Sequence, residues 1–203
     1  MRMKVQIFHN KILQSCSYCI FDELSSDGYM IDVGEVPPII SYVRNNQIRL
    51  KGVLLTHPHF DHIYGINELI KEYPLLKIYC SAETYNGIED GRGSLADLYV
   101  ENFQMPSKHH FVIFDDSTKI LRLSFSFQIL FTPGHDTGSV CYISENRIFT
   151  GDSFIPFAPV TYLWPRSNKE EAIYNERRIK ELIEKNNMDV YPGHYQLLNN
   201  HTK

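Results

Sequence analysis

The stretch Thr56-His57-Pro58-His59-Phe60-Asp61-His62 is the most informative part of this chain. It places four metal-binding side chains within six residues, directly after the apolar run 52–55. Imidazole and carboxylate groups suit zinc, iron or manganese. In the His-x-His-x-Asp-His spacing, alternate side chains can converge on one point while the last two turn toward a neighbouring point. The stretch therefore predicts two adjacent metal ions at the end of a strand.

Three further segments have the same form. Each is a short run rich in β-branched or aromatic residues, stopped by Gly or Pro, with a histidine or aspartate at its tip. The runs 128–132, 146–150 and 188–191 lead into His135, Asp152 and His194, respectively. A single loop histidine is usually an ordinary surface or core residue, but repetition at four strand ends favours one shared site. The candidate ligands are His57, His59, Asp61, His62, His135, Asp152 and His194.

In its motifs and their order, the chain resembles the metallo-β-lactamase superfamily and, within it, the glyoxalase II-like hydrolases. The motifs are Ile31-Asp32-Val33-Gly34, the His-x-His-x-Asp-His stretch, Thr132-Pro133-Gly134-His135-Asp136-Thr137-Gly138, Thr150-Gly151-Asp152-Ser153 and Pro192-Gly193-His194. The resemblance implies an α+β fold, an αββα sandwich of two mixed β-sheets with the helices outside. It places the metals in a cleft along one sheet edge.

The resemblance also implies a role for each candidate ligand. His57, His59 and His135 would hold the first metal, Asp61, His62 and His194 the second, and Asp152 would bridge the two. We expect two zinc ions per chain, with iron or manganese as other metals that these ligands suit. Metal binding lowers the pKa of a coordinated water to about 7, so a bridging hydroxide would attack the substrate, with Asp61 orienting it and moving its proton.

Asp32, in the Ile-Asp-Val-Gly motif, has two interpretations. It could accept a hydrogen bond from a ligand or a ligand loop, or it could only stabilise the turn before Gly34.

The segment 153–166 also has two interpretations. Its aromatic residues could wall an apolar substrate pocket as a lid, or they could simply pack under a connecting loop. These aromatic residues are Phe154, Phe157, Tyr162 and Trp164.

Three functions remain open. The first is a dinuclear zinc hydrolase acting on a small ester, thioester, lactone or related substrate. The second is an oxidoreductase similar to the persulfide dioxygenases, with a single iron held by two histidines and one aspartate. The third is a non-catalytic binding or regulatory protein of this fold. Metal content separates the first two, and turnover of a generic ester would count against the third.

Two features differ from glyoxalase II. The chain ends nine residues after His194, where that family continues into a helical region that supplies much of the glutathione site. Tyr195-Gln196 follows Gly193-His194, where glyoxalases commonly have Glu-Tyr. We therefore expect weak activity on glutathione thioesters, although a second subunit of a homodimer could supply the missing contacts.

Composition predicts one soluble domain spanning residues 1–203, with 43% hydrophobic and 22% charged residues. The net charge of -4 and the absence of a Lys/Arg block argue against nucleic acid as a partner and favour a small-molecule substrate. No run of residues looks like a membrane span. The first twenty residues lack the apolar core of an export signal, so we expect a cytoplasmic protein.

Cys16 and Cys19 form a Cys-x-x-Cys, which could be half a zinc site or a redox pair. No second such pair exists in the sequence, and residues three apart in a strand point to opposite faces. We therefore expect structural cysteines here, and buried free thiols at Cys80 and Cys141.

Periodicity and turn residues predict the elements. Strands are expected at 3–8, 16–22, 28–32, 52–56, 77–80, 111–114, 119–130, 139–143, 146–150 and 188–191, and helices at 38–46, 63–72, 94–103 and 169–186. The last helix has Ser167-x-x-Glu170 as its predicted capping box and one apolar face.

Overall fold

Residues 2–101 and 103–195 are the part of the chain that the computed structural model describes. The strands of the first sheet are β1 (Met3–His9), β2 (Cys16–Asp22), β3 (Asp27–Ile31), β4 (Arg49–Leu54), β5 (Lys77–Ser81) and β6 (Phe111–Phe114). They lie side by side in chain order. Strands β1 to β3 are antiparallel neighbours, and β3 to β6 are parallel neighbours.

The second sheet is also mixed. Its strands are β7 (Ile120–Arg122), β8 (Ser126–Phe131), β9 (Val140–Ser144), β10 (Arg147–Gly151) and β11 (Asp189–Pro192). They are arranged in the order β11-β10-β9-β8-β7. Only β10 and β11 pair in parallel, because the long helix α4 (Lys169–Asn186) connects them.

Apolar side chains form three layers. The layer between the sheets contains Leu54 from the first sheet and Tyr142 from the second, both fully buried. Helices α1 (Val36–Asn45), α2 (Ile66–Glu72) and α3 (Ala82–Glu89) pack on the outer face of the first sheet. Helix α4 covers the second sheet, with Ile179 packed against Ile148. Each fully buried large side chain contributes about 1.5–3 kcal/mol. The layers confirm the predicted αββα sandwich.

The cysteines follow the strand period of two. Cys16 faces the layer between the sheets, and Cys19, three residues later on β2, faces the helical layer. All four cysteines are free and buried, so the expectation of structural cysteines is confirmed.

No helix among the described residues is both long and apolar enough to cross a bilayer.

Two predicted elements are wrong. In place of a helix at 94–103, the described residues of that range contain only a 3₁₀ turn, Ala96–Leu98, preceded by Leu95 in the left-handed region with φ of 55°. The true helix is α3, which the sequence analysis missed. It begins earlier because the side chain of Ser81 accepts a hydrogen bond from the Thr84 amide. The predicted strand 119–130 is two strands, β7 and β8, separated by a turn.

Two helix starts and one helix cap differ from the prediction, whereas α4 spans the predicted residues 169–186. Helix α1 begins at Val36, with prolines in its first turn, where a missing amide proton is tolerated. Helix α2 begins only at Ile66, because a 3₁₀ turn at Phe60–His62 comes first. The predicted capping box of α4 is wrong. Asn168 caps this helix, and the Ser167 hydroxyl instead donates to the His135 carbonyl at 2.6 Å.

Candidate metal centre

All seven predicted ligands come from segments that follow the C-terminal end of a strand. The His-x-His-x-Asp-His stretch follows β4, and His135 follows β8. Asp152 and His194 follow the adjacent parallel strands β10 and β11. The two sheets therefore bring these ends together at one edge of the sandwich. Six of the seven residues are at most 5% exposed, namely His57, His59, Asp61, His62, His135 and His194.

His57, His59 and His135, here called the first triad, could hold one metal ion. One ligand atom from each lies within 4.8 Å of the others. The Nε2 atom of His135 is 2.9 Å from Nδ1 of His59. Nε2 of His57 is buried and has no hydrogen-bond partner among the described residues.

Asp61, His62 and His194, here called the second triad, meet the same distance condition. The Oδ2 atom of Asp61 lies 3.3 Å from Nε2 of His62 and 3.4 Å from Nε2 of His194. The two imidazole nitrogens are themselves 3.4 Å apart. A carboxylate and two imidazoles therefore point at one small volume.

Asp152 lies between the two triads. Its Oδ1 atom is 3.3 Å from Nε2 of His62, and its Oδ2 atom is 3.1 Å from Nε2 of His194. The same Oδ2 atom is 3.5 Å from Nε2 of His135, which belongs to the first triad. Gly193 permits this position, because a Cβ atom there would lie 2.0 Å from Oδ1 of Asp152. One carboxylate can thus serve both triads.

The outer ring nitrogens of two histidines are held by backbone carbonyls. Nδ1 of His135 donates to the Thr161 carbonyl at 2.9 Å, and Nδ1 of His194 donates to the Leu13 carbonyl at the same distance. A carbonyl can only accept, so each Nδ1 must carry a proton. In a neutral ring, this leaves the lone pair on the inward Nε2, where a metal would bind it.

Asp32 holds His62 from behind. Its Oδ2 atom is 2.9 Å from Nδ1 of His62 and accepts a hydrogen bond from the Thr56 hydroxyl at 2.7 Å. Its Oδ1 atom accepts from the Thr56 amide at 2.8 Å. Asp32, His57 and His62 also lie close enough together to form a further candidate group. Because both Asp32 oxygens are already engaged, we assign Asp32 to orienting His62, the first of its two interpretations.

The first triad favours neutral imidazoles. Burial lowers the pKa of His57 well below its ordinary value, and the neighbouring His62 lowers it further. Burial and the adjacent His135 lower the pKa of His59 to about 3. Burial likewise lowers the pKa of His135. Neutral imidazole is the form that binds a metal.

The carboxylates give the second triad the opposite electrostatics. Burial would raise the pKa of Asp152, but His194 and His62 hold it well below its ordinary range. Burial would lower the pKa of His62, but Asp61 and Asp152 raise it well above the usual value. The buried carboxylates of Asp61 and Asp152 therefore favour a positive charge on the side chains beside them.

The donor set fits divalent cations. Three buried atoms of the cluster have no hydrogen-bond partner among the described residues, namely His57 Nε2, Asp61 Oδ2 and Asp152 Oδ1. A buried polar atom without a partner costs about 1–3 kcal/mol, and three in one cluster require an explanation. One cation near each triad would satisfy all three, and imidazole with carboxylate suits zinc, iron or manganese.

A pocket of about 390 Å³ opens onto the cluster and contains His59, Asp61, His135, Asp152 and His194 in its lining. Its walls are mainly apolar, and Leu13, Phe60, Leu95, Tyr99 and Trp164 contribute to them. Among the described residues that line it, Lys11 is the only lysine or arginine. The pocket therefore joins a polar, metal-binding floor to apolar walls.

The aromatic residues of segment 153–166 are divided between two places. Trp164 lines the pocket, and its ring centroid is 6.2 Å from that of His59. Phe154 and Phe157 instead line a separate cavity of about 650 Å³ beside α4. Tyr162 lies under the ammonium group of Lys169. Of the four aromatic residues considered, only Trp164 takes the pocket position.

Sequence reasoning missed the groups that hold the ligands through the backbone. The carbonyls of Leu13 and Thr161 carry no side-chain signal, so nothing in the sequence could have revealed them. Lys11, Leu13 and Gln14, which precede β2, also line the pocket. Gln196, which follows Tyr195 in the sequence, lies outside the described residues.

Three comparisons relate the chain to known proteins. A model of the metallo-β-lactamase superfamily matches residues 17–194. A hydroxyacylglutathione hydrolase of Pseudoalteromonas translucida (strain TAC 125) is 26% identical over 137 residues, which are 67% of this chain and 45% of that protein. The chain thus spans less than half the length of this curated relative.

Solved structures show the same fold. The B3 metallo-β-lactamase BLEG-1 superposes with a TM-score of 0.82 at 21% identity, covering 96% of this chain and 93% of that one. TTHA1623, solved in a di-iron-bound form, gives a TM-score of 0.74 at 22% identity, covering 94% and 92%. At these identities, the likeness concerns the fold.

Proposed function

Because the chain belongs to the metallo-β-lactamase superfamily, we propose that it is a dinuclear zinc hydrolase of a small ester, thioester, lactone or related substrate. The observation that carries this proposal is the position of Asp152, whose carboxylate lies within 3.5 Å of histidines from both triads. That position suits a shared ligand of two cations. The adjoining pocket gives a substrate access to both.

The proposal assigns the first triad to one metal, the second triad to the other and Asp152 to both. When bound, the two cations would lower the pKa of water and polarise a substrate carbonyl. Asp61 is the proposed proton acceptor, because it is the only carboxylate in either triad and it lines the pocket. The apolar walls, including Tyr99 and Trp164, would exclude water and bind the apolar part of the substrate.

Metal content is the direct test. We expect about two zinc ions per chain in protein purified without added metal, because each triad supplies three ligands of the types that zinc prefers. Elemental analysis on protein of known concentration measures this. A result of one iron and no zinc would overturn the hydrolase proposal.

An iron enzyme is the second candidate, as an oxidoreductase similar to the persulfide dioxygenases. This candidate holds a single iron, and it is supported by the suitability of histidine and aspartate for iron. The neighbour TTHA1623, solved with two irons bound, indicates only that this fold can hold iron. Elemental analysis separates the two candidates, and zinc as the main metal would count against this one. Turnover of generic aryl esters would count against a non-catalytic role.

Glutathione thioesters are expected to be poor substrates, although the matched curated relative is named a hydroxyacylglutathione hydrolase. Glutathione carries two carboxylates, whereas Lys11 is the only lysine or arginine among the described pocket residues. One unpaired charge loses a contact worth about 1.5–3 kcal/mol, and every 1.4 kcal/mol is about tenfold. We therefore expect kcat/KM for S-lactoylglutathione to be about ten- to a hundredfold below that of the best small thioester.

Steady-state kinetics on S-lactoylglutathione beside simple aryl esters, thioesters and lactones would check this. Lys11→Ala is a useful companion variant, because it removes the only lysine or arginine charge among the described pocket residues and should weaken the binding only of substrates with a carboxylate. A kcat/KM of about 10⁶ M⁻¹s⁻¹ or more for S-lactoylglutathione, well within the range of efficient enzymes, would contradict the expectation.

A further inference from the structure

The loop 10–15, which connects β1 to β2, has an unusual backbone. Leu13 and Gln14 both lie in the left-handed region, with φ of 49° and 57°, and neither is glycine. Two consecutive side-chain-bearing residues rarely adopt this conformation unless the surroundings fix it. The loop therefore requires an anchor.

The side chain of Asn10 is one such anchor, beside the backbone bond from the Asn10 amide to the Ser15 carbonyl at 2.8 Å. It is only 4% exposed. Its Nδ2 atom donates to the hydroxyls of Ser15 at 3.1 Å and Ser17 at 3.0 Å. Its Oδ1 atom accepts from the Glu35 amide at 3.1 Å. Asn10 thus fixes the two ends of the loop to each other and to the segment that leads into α1.

The anchored loop in turn contacts two residues of the second triad. The Leu13 carbonyl accepts the Nδ1 proton of His194 at 2.9 Å. The Ser15 hydroxyl, which receives the Asn10 bond, donates to the Asp61 carbonyl at 2.6 Å. The loop therefore helps to fix both the ring orientation of His194 and the backbone position of Asp61.

The first triad is held by other groups. The outer nitrogen of His135 bonds to the Thr161 carbonyl, and that of His57 faces the Thr56 hydroxyl at 2.9 Å. Neither of these partners belongs to the loop. A change in the loop should therefore reach the two triads unequally.

We propose that Asn10 is a positioning residue for the second metal subsite, acting through the Leu13 carbonyl on His194 and through Ser15 on Asp61. This inference rests on the metal assignment in the proposed function, and it does not depend on the substrate. Groups that orient metal ligands from behind typically change metal affinity by about 10- to 100-fold when they are removed. The effect of Asn10 should fall within that range and should be confined to one subsite.

Two variants are used as backgrounds, and each leaves only one triad, and so only one metal subsite, intact. His59→Ala disables the first triad and leaves the second, whereas His194→Ala does the reverse. Zinc affinity would be measured on metal-free protein by competition with a chromophoric chelator, with and without Asn10→Ala. We expect Asn10→Ala to weaken zinc binding by at least about tenfold in the His59→Ala background, and by less than about threefold in the His194→Ala background.

Asn175 offers a matched control. It is also 4% exposed, and its Nδ2 atom donates to the Pro133 carbonyl at 2.8 Å, on the side of the first triad. Asn175→Ala should leave zinc affinity in the His59→Ala background unchanged. Asn175→Ala removes a side chain of the same type and burial as Asn10→Ala does. It therefore separates the local positioning effect of Asn10 from a general loss of stability.

Ser15→Ala provides a second variant that removes only a hydroxyl, so it serves if Asn10→Ala does not fold. It should also weaken zinc binding selectively at the second subsite. Equal affinity with and without Asn10 or Ser15, or an equal loss at both subsites, would overturn the positioning role. Absence of zinc binding in the His59→Ala background with Asn10 intact would instead overturn the two-subsite assignment itself.

Discussion

Replacing Asp152 by alanine is expected to lower metal occupancy at both subsites together. The Asp152 carboxylate lies 3.1 Å from His194 and 3.5 Å from His135, which belong to different triads. It is therefore the ligand that both cations would share. A charge-assisted contact is worth about 1.5–3 kcal/mol, and every 1.4 kcal/mol is about tenfold, so each subsite should bind zinc about ten- to a hundredfold more weakly. Turnover should fall at least as far, because both cations would be affected.

Stepwise zinc titration of the metal-free Asp152→Ala protein measures this. His194→Ala and His59→Ala are the matched controls, since each removes one ligand from a single triad and should weaken one step only. If Asp152→Ala behaves like either of them and loses one metal, Asp152 does not bridge.

The proximity of the candidate ligands and the fold class were more predictable from sequence than the bounds of individual helices and strands. His57, His59, Asp61 and His62 lie within six residues, so their proximity follows from local geometry. The remaining candidates each stand directly after a short apolar run, which predicts a strand end. Since neighbouring strand ends meet at a sheet edge, side chains distant in sequence could be expected to converge there.

The wrongly predicted helix at 94–103 shows why local prediction fails elsewhere. Residues 94–103 contain apolar residues at helix-like spacing, but Leu95 adopts a left-handed conformation that a helix cannot contain. The side chains of Tyr99 and Phe60 stack at 5.5 Å between ring centroids, so this segment packs against the His-x-His-x-Asp-His stretch instead. Tertiary contact with a distant segment therefore overrides the local preference.

Contacts made by backbone groups could not be predicted from the sequence either. The Leu13 carbonyl that contacts His194 belongs to a turn in which Leu13 and Gln14 adopt left-handed conformations. No residue-type preference predicts that conformation for leucine or glutamine. The groups that orient the candidate ligands were therefore found only in the structure, except Asp32, whose side chain gave a sequence signal.

The two triads differ in charge, and only the second contains a carboxylate that could serve as the proposed proton acceptor. The first triad contains only imidazoles, whose pKa values are lowered mainly by burial. The second contains Asp61, the only carboxylate in either triad. Burial would raise the pKa of Asp61, but His62 and His194 keep it below its ordinary value. The two histidines therefore favour the charged form of the Asp61 carboxylate.

Asp61→Asn is expected to retain much of the zinc at the first triad, because His57, His59 and His135 are untouched. Turnover should nevertheless fall by about 10²–10⁴-fold, the contribution typical of a general acid or base. Asparagine preserves the volume of the buried side chain but cannot accept the proton at the same pKa. Kinetics on a simple aryl ester, together with elemental analysis of the same sample, separates loss of chemistry from loss of metal.

Asp136→Asn is the control for this experiment, because Asp136 is also a buried carboxylate but lies 3.3 Å from Arg166 and belongs to neither triad. It should change turnover by less than about tenfold, since it contributes no group to the proposed proton transfer. His194→Ala completes the comparison, because it removes a ligand of the second metal and leaves the Asp61 carboxylate in place. If Asp61→Asn keeps full metal and full turnover, Asp61 takes no part in the chemistry and another group must accept the proton.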